Sequence, residues 1–463
     1  MLEKVVTFTL STKDGGLSPN KYCSFHSLIP LAILHKNLDM NRIMLLVVFG
    51  IFHMNCHAQD WPDWRGKNRD AVWEASGILE KFDSNAIKIK WSTPIGPGYS
   101  GPTVSQGKVY VTDRLERPSQ AERVLCFDEQ TGEQIWSFQY DCVYDVGYPA
   151  GPRASVVIEQ GKAYSLGTMG HLFCFDAGTG RVLWQKDLHS EYEMNMPIWG
   201  IASTPLVVDE KIIVHVSGSK NACVVAFNKD TGKEIWRNLN DRAGYSAPIL
   251  IEKNGVGVVV NWTEHSLSGL DPESGEIYWR IPWSTGMGMS IATPVLYKDH
   301  IFVSAFYSGS LLVKLGDDYT SAEKVWLRCG ESENETDALH CVMNTPVIMD
   351  DFIYGVDSYG ELRCLEFSTG NRVWEDLTAV KRDRWANIHF IQKGDRTWMF
   401  NEHGELLITE LSPQGFKEIS RAKLIEPTRK QLPRGVTWSH PAFANKHVFI
   451  RNDERLVCAD LSE

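Results

Sequence analysis

The chain has 463 residues and a formal net charge of −11, with 43% hydrophobic and 23% charged residues. This composition is typical of a globular protein, and the absence of any basic run excludes nucleic acid as the expected partner, because phosphate binding needs clustered lysine and arginine. Sixteen tryptophans is a high number, and six of them recur at regular spacing.

The N-terminal residues have the pattern of an export signal. A basic start at Met40–Arg42 precedes a short apolar run, 43–52, and then Cys56-His57-Ala58. This order is typical of a secretory signal peptide, and a run of about ten apolar residues is too short for a bilayer, which takes about 20. The predicted boundaries are a non-native extension over 1–39, a signal peptide over 40–58 and a periplasmic or secreted domain over 59–463.

One phrase recurs along the chain: an apolar strand ending in a polar residue, then Thr-Gly or Ser-Gly, then Trp four residues after the glycine. In the first copy Asp128 is followed by Thr131-Gly132 and Trp136. Aspartate accepts hydrogen bonds from nearby backbone amides and glycine supplies positive φ, so the phrase predicts a hairpin between two strands. A tryptophan buries roughly 150–250 Å², which suits it to joining neighbouring sheets. The repeated tryptophans are Trp136, Trp184, Trp236, Trp279, Trp374 and, in a looser copy, Trp326.

A second phrase precedes each copy and predicts two further strands. It consists of a small residue and proline, two apolar residues, a polar turn and a β-branched strand, as in Gly101-Pro102 followed by Val109–Val111. Together the two phrases predict a four-stranded antiparallel unit of the size of a propeller blade. The units start near Pro102, Val156, Pro205, Pro248, Pro294, Pro346, His389 and Pro441.

The two ends of the chain complete each other. The last unit stops at Leu456–Asp460 without an outer tryptophan strand, whereas Ile87–Trp91 is such a strand without a blade. Pairing the two would close the ring and remove exposed sheet edges, which a solenoid would not do. The fold class predicted is therefore all-β: an eight-bladed β-propeller of four-stranded antiparallel blades, closed by an N-terminal strand.

The repeat resembles the tryptophan-docking repeat of the pyrroloquinoline quinone (PQQ) propeller family. The opening Trp61–Asp70 is similar to the lead-in of PQQ-like propellers in exported bacterial proteins, and the resemblance covers about residues 61–463. The family contains quinoprotein dehydrogenases and also non-catalytic propellers of outer-membrane assembly. For a dehydrogenase the resemblance implies PQQ held with Ca²⁺, an aspartate as general base and a disulfide between adjacent cysteines.

The chain has no adjacent cysteines, and its candidate acids, Asp145, Asp241 and Asp357, are isolated. We therefore expect an exported scaffold rather than an enzyme, with no cofactor and no metal, that binds a protein or small ligand on its axial face and associates with outer-membrane components. The alternatives are a PQQ-dependent alcohol or sugar dehydrogenase and a propeller that binds carbohydrate or polymer. The Met194/Met196 and Met287/Met289 pairs suggest a copper site, but methionine side chains near a propeller axis more often pack against other apolar residues.

Alignment of the units predicts the binding residues. The position two before each start is small or compact, whereas the residue before it is often aromatic or charged. Aromatic residues and arginine dominate binding energy where an interface buries them; the alternative is that they plug the axis. The predicted binding residues, taken from this position and nearby loops, are Tyr99, Arg153, Trp199, Tyr245, Trp385 and Trp438.

The ten cysteines do not form a metal-binding pattern, because no Cys-x-x-Cys occurs and no Cys/His spacing suggests a metal site. Four of them fill the same slot of a repeated strand and are predicted to be packed small residues. Cys329 and Cys341 flank a loop and could form a disulfide. At the N-terminus, a lipoprotein with its lipid on Cys56 is the alternative to cleavage after Ala58. The four strand cysteines are Cys126, Cys174, Cys364 and Cys458.

Overall fold

The computed structural model describes residues 59–83 and 87–463, so the predicted extension and signal peptide lie outside the described residues. The described part contains eight four-stranded antiparallel sheets. This confirms the predicted all-β, eight-bladed propeller. Its helical segments are a single turn over Leu188–Glu191, capped by Asp187, and a short 3₁₀ turn over Gly286–Gly288. None of these described helical segments has the length and apolar character that a bilayer crossing needs.

The strands follow the chain blade by blade, from the axis outward. The N-terminal strand is β1 (Ile89–Pro94). Blade 1 contains β2 (Thr103–Ser105), β3 (Lys108–Leu115), β4 (Ala121–Asp128) and β5 (Gln134–Asp141). Blade 2 contains β6 (Val157–Glu159), β7 (Lys162–Leu166), β8 (His171–Asp176) and β9 (Val182–Asp187). Blade 3 contains β10 (Leu206–Val208), β11 (Lys211–Gly218), β12 (Ala222–Asn228) and β13 (Glu234–Asn238). Blade 4 contains β14 (Ile249–Lys253), β15 (Val256–Trp262), β16 (Ser266–Leu270) and β17 (Ile277–Pro282).

The remaining blades repeat this order. Blade 5 contains β18 (Val295–Tyr297), β19 (His300–Ala305), β20 (Gly309–Leu315) and β21 (Ala322–Arg328). Blade 6 contains β22 (Val347–Met349), β23 (Phe352–Val356), β24 (Leu362–Glu366) and β25 (Arg372–Asp376). Blade 7 contains β26 (Ile388–Lys393), β27 (Arg396–Asn401), β28 (Glu405–Ser412) and β29 (Gly415–Lys423). Blade 8 contains β30 (Ala442–Ala444), β31 (His447–Arg451) and β32 (Arg455–Asp460), and β1 is its outer strand.

Tryptophans on the outer strands join each blade to the next. Trp136 donates a hydrogen bond from Nε1 to the carbonyl of Ala177 in blade 2, at 3.0 Å. Its indole ring also covers the glycine of that blade's Thr-Gly turn, Gly180. Seven tryptophans make the equivalent hydrogen bond to a carbonyl of the following blade, so seven of the eight junctions share one repeated contact. They are Trp91, Trp136, Trp184, Trp236, Trp279, Trp326 and Trp374.

The strand cysteines lie directly opposite tryptophans. Cys126 pairs across the sheet with Trp136, and Cys174, Cys364 and Cys458 pair with the tryptophans of their own blades. All four cysteines are buried and free. A small residue is needed at this position because the large indole ring occupies the space opposite it.

Blade 7 lacks the outer tryptophan. Ser420 stands at the equivalent place, opposite Ile408 and next to the same bulge, and its Oγ accepts a hydrogen bond from the Phe82 amide at 2.9 Å. Phe82 and Trp73 pack edge-on against Trp398, with ring centroids 5.9 and 5.6 Å away. The N-terminal segment therefore fills the space between blades 7 and 8 that a tryptophan fills elsewhere.

Replacing Gly132 with alanine should test the interblade contact. Gly132 has φ of +73°, and a Cβ there would lie 2.6 Å from the Trp91 ring. We expect Gly132→Ala to lower the free energy of unfolding by about 2–3 kcal/mol, since backbone strain and a steric clash add. Gly107 has φ of +74° but nothing within 4 Å of the added Cβ. Gly107→Ala thus reports the strain alone in urea denaturation, and equal losses for the two variants would refute the docking contact.

Candidate functional site

A cavity of ≈ 220 Å³ lies on the propeller axis, on the face where the inner strands begin. Its walls come from the connections between blades and from the residues just before each inner strand. All six residues predicted from the sequence line this one cavity, namely Tyr99, Arg153, Trp199, Tyr245, Trp385 and Trp438. The structure therefore brings the predicted set together, while their role in binding stays a prediction.

Small residues beside the inner strands explain why the larger ones converge. Ser203 donates from Oγ to the Ser246 carbonyl at 2.9 Å, and Ser246 donates in turn to the Ala292 carbonyl at 2.8 Å. These buried hydroxyls link adjacent blades where the strands crowd the axis. Compact side chains at this position let the blades approach closely, and the preceding residue is left to line the cavity.

Aromatic rings meet across the mouth of the cavity. Tyr148, from the connection between β5 and β6, lies 6.4 Å from Trp199 and 6.4 Å from Trp385 between ring centroids. Trp385 comes from the distant connection between β25 and β26, so the pair joins opposite parts of the ring. Tyr148 and Trp385 both have positive φ, 52° and 66°, which is rare for bulky residues. Such strain persists only where surrounding contacts impose it, and it is typical of functional sites.

Arg153 shapes the wall beside this aromatic pair. Its Nη2 donates to the carbonyls of Gly147 at 3.0 Å and Tyr148 at 2.7 Å, and its Nη1 donates to the Gly151 carbonyl. The guanidinium also lies 4.9 Å from the centre of the Tyr99 ring. Burial lowers the pKa of Arg153 from its ordinary value. Three hydrogen bonds of the guanidinium therefore hold the loop over residues 147–151 in place.

The six residues differ in how accessible they are. Tyr245 and Trp438 are buried, and Trp438 donates from Nε1 to the Glu402 carboxylate at 3.0 Å. The Tyr245 hydroxyl accepts a hydrogen bond from the Trp199 amide at 3.3 Å. Both side chains are therefore packed against neighbouring residues of the wall. Tyr99, Trp199 and Trp385 are half-buried.

The floor of the cavity is formed by a segment that sequence reasoning did not place. Residues 59–73, which we call the axial plug, enter the channel from the opposite face and contact blades 1 to 5, 7 and 8. Pro62 accepts from the Ile158 amide at 2.9 Å, Trp64 donates from Nε1 to Thr293 Oγ1 at 2.8 Å, and Trp73 donates from its amide to Gln392 at 2.8 Å. Trp64 itself lines the cavity. The only signal in the sequence was the resemblance of Trp61–Asp70 to a family lead-in.

A buried ion pair anchors the plug. Arg69, 3% exposed at its side chain, pairs with Asp63 through Nε at 2.9 Å and Nη2 at 3.0 Å. The same guanidinium donates to the carbonyls of Thr204 and Pro248, at 3.3 and 2.8 Å, and to that of Pro205. One side chain therefore ties the plug to the inner edges of blades 3 and 4.

Two buried histidines lie at the floor beside Trp64. His389 and His440 have ring centroids 4.8 Å apart, and both line the cavity. Burial lowers the pKa of His389 to about 4, with a smaller contribution from the nearby Arg65 charge, and lowers the pKa of His440 well below its usual value. Neutral His389 donates from Nε2 to the Trp438 carbonyl at 2.8 Å. Both rings are therefore uncharged at neutral pH.

The buried state of His389 predicts a loss of stability in acid. Because its folded pKa lies below the unfolded value of about 6.5, its contribution is complete above pH 6.5 and is lost as the pH falls towards 4. The loss for this one group is about 3 kcal/mol. We expect His389→Gln to flatten the decline of unfolding free energy between pH 7 and 4, measured by urea denaturation. His189→Gln, at an exposed position, is the control, and an unchanged slope in His389→Gln would contradict the assignment.

The carboxylates suggested as catalytic acids are not part of the cavity wall. The described part of the chain contributes no Asp or Glu to that wall. Asp241 is paired with Arg280 and accepts from Thr263 and Ser266, whereas Asp357 is paired with Arg363. Asp145 is exposed in the β5–β6 connection. Within residues 59–83 and 87–463 no group of three or more His, Cys, Asp or Glu side chains is arranged to hold a metal.

The two methionine pairs lie in different parts of the propeller, and Cys329 and Cys341 are not bonded to each other. Met287 and Met289 line the axial cavity, whereas Met194 is buried in the core between blades 2 and 3. Cys329 is exposed and Cys341 is buried, and both are free in the structure. The loop that they flank is therefore held by other contacts, such as the ion pair between Arg328 and Asp337 at 2.8 Å.

The fold and the site define a PQQ-repeat propeller with an aromatic axial cavity. The family described as outer membrane protein assembly factor BamB matches residues 120–376, and the chain belongs to this family. The resemblance predicted from the repeats is thereby confirmed.

Individual relatives are distant. The chain is 23% identical over 201 residues to outer membrane protein assembly factor BamB of Yersinia pestis, covering 41% of this chain and 46% of that protein. It therefore spans about half the length of the curated relative that it matches. Among solved structures, BamB from Moraxella catarrhalis has a TM-score of 0.54 at 14% identity, covering 80% of this chain and 98% of that chain. Quinohemoprotein alcohol dehydrogenase from Comamonas testosteroni has a TM-score of 0.61 at 14% identity, covering 86% and 80%. At such identities the structural similarity shows the fold alone.

Proposed function

We propose that the chain is an exported, non-catalytic scaffold of the outer-membrane assembly type, which binds a partner protein at the mouth of its axial cavity. The observation that carries the proposal is the convergence of aromatic side chains from separate blades on one predominantly apolar cavity. Aromatic residues dominate binding energy when a partner buries them, and a partly open apolar cavity accepts an anchoring side chain. The family and the Yersinia pestis relative, both described as outer membrane protein assembly factors, support the choice of partner class.

The alternative of a quinoprotein dehydrogenase fits this cavity poorly. PQQ is a polyanionic quinone that family dehydrogenases hold with Ca²⁺, which prefers carboxylate and carbonyl oxygen ligands. Among the described residues that line the cavity there is no carboxylate, and the one arginine among them, Arg153, already donates to backbone carbonyls. The residues present therefore do not match the cofactor, and a role without PQQ is preferred.

Photo-crosslinking from the mouth tests the scaffold. A benzophenone amino acid in place of Trp199 or Trp385 should crosslink to a component of outer-membrane protein assembly in cells that express the full chain. The same group at Ile235 or Val373, exposed on the outer strands β13 and β25, is the matched control. Crosslinks of equal yield from the outer strands, or none to an assembly component, would refute the proposal.

Alanine variants separate binding from packing. Trp199→Ala and Trp385→Ala should weaken binding of the crosslinked partner by about 2 kcal/mol or more while the fold stays intact. Trp438→Ala should instead lower stability, because Trp438 is buried against Glu402. Unchanged affinity in both mouth variants would show that these rings only fill the funnel.

Export is the second part of the proposal. If cleavage follows Ala58, the mature protein should begin at Gln59 and be found in the periplasm. N-terminal sequencing of protein recovered from the periplasmic fraction checks this. An intact Met1, or a lipid on Cys56, would contradict the predicted processing.

A further inference from the structure

A second cavity, of ≈ 270 Å³, lies on the other side of the axial plug from the aromatic cavity. The plug contributes Arg65, Asn68, Arg69 and Asp70, and the inner strands of blades 4, 5 and 6 contribute mainly apolar side chains. The cavity therefore has one charged wall and one apolar wall. Nothing in the proposed scaffold role uses it.

Arg65 is the feature of this cavity that packing leaves unexplained. The residue is 4% exposed and lines the cavity, yet its side chain makes one hydrogen bond to the described residues, from Nη2 to the Asp70 carbonyl at a long 3.4 Å. No carboxylate of the described residues forms an ion pair with it, whereas the neighbouring Arg69 is paired with Asp63. Burial lowers the pKa of Arg65 to about 10, so it still carries its charge at neutral pH.

Another buried arginine of the same chain shows what a satisfied guanidinium looks like. Arg451 is fully buried and donates to the carbonyls of Thr112 at 2.6 Å, Gly96 at 2.6 Å and Asn452 at 3.1 Å. Arg65 has no comparable set of acceptors. A buried cation with a single long hydrogen bond and no ion pair is poorly stabilised, and an in-plane pair of hydrogen bonds to an oxyanion is the contact that a guanidinium favours.

The other lining residues limit what the anion can be. The apolar wall, formed near the starts of β14, β18 and β22, suits a hydrocarbon body. Asp70 is an exposed residue of the same lining, and its charge would repel a multiply charged anion more strongly than a monocarboxylate. We propose that this cavity binds an apolar monocarboxylate, with its carboxylate on Arg65 and its hydrocarbon part on the apolar wall.

Isothermal titration of the full chain with hexanoate, hexanamide and inorganic phosphate tests the proposal. Hexanoate should bind at least about tenfold more tightly than hexanamide, because charge-assisted hydrogen bonds are roughly twice as strong as neutral ones. Arg65→Gln should abolish that preference. Lys67→Gln, at an exposed position of the same plug, should leave it unchanged. Equal binding of acid and amide, or tighter binding of phosphate than of hexanoate, would overturn the proposal.

The position of the bound ligand can be measured in the wild-type protein, so this test does not require that a variant folds. A crystal of the wild-type protein soaked in 6-bromohexanoate should show anomalous bromine signal in the second cavity, with the carboxylate at Arg65. Signal in the aromatic cavity beside Arg153, or none in either cavity, would refute the site. Loss of crosslinking at Trp199 and Trp385 would refute the scaffold role alone, since those residues line the other cavity.

Discussion

Replacing Trp91 with alanine should lower the free energy of unfolding by about 3–5 kcal/mol, the usual cost of removing a buried aromatic side chain. Trp91 is 8% exposed, donates from Nε1 to the Glu129 carbonyl at 2.8 Å and covers Gly132 of blade 1. It stands on β1, the outer strand of blade 8, so the contact joins the last blade to the first. Its loss should weaken the closure of the ring as well as leave a cavity.

Urea denaturation of the purified mature protein measures this effect. Ile89→Ala on the same strand is the matched control, because Ile89 is 43% exposed and should change stability by less than about 0.5 kcal/mol. Trp136→Ala, at the equivalent contact between blades 1 and 2, should cost about as much as Trp91→Ala. A Trp91→Ala protein as stable as the wild type would mean that β1 does not hold the ring closed.

Replacing Arg69 with methionine should also cost about 3–5 kcal/mol, because it leaves the buried Asp63 carboxylate without its cation. It also leaves the carbonyls of Thr204 and Pro248 without the donor that joins them to the plug. The plug should then separate from blades 3 and 4, and the aromatic cavity should lose the support of its floor at Trp64.

A double variant distinguishes the ion pair from the shape of the plug. Arg69→Met combined with Asp63→Leu should recover part of the stability, since apolar replacement of both partners is often neutral. Lys67→Met, at an exposed position of the plug, should have little effect. If Arg69→Met unfolds at the same urea concentration as wild type, the ion pair does not anchor the plug.

Most of the blade architecture could be predicted from the sequence because its determinants are local. The Asp128 to Gly132 turn and the position of Trp136 lie within a few residues of each other, and the hairpin that they encode recurs in the structure. The contact of the outer strand of blade 7 could not be predicted in the same way. Ser420 replaces the tryptophan there, and distant residues of the N-terminal segment fill the space of the missing indole ring.

By itself, the sequence determined the repeat, the number of blades, the strand that closes the ring and the set of residues beside the axis. Only the tertiary structure decided that residues 59–73 cross the channel and divide it into two cavities. Only the structure decided, too, that Tyr148 meets Trp385 and that Arg65 is buried without an ionic partner. The reason is that hairpin periodicity is a property of neighbouring residues, whereas these contacts join residues that become close only when the whole ring is formed.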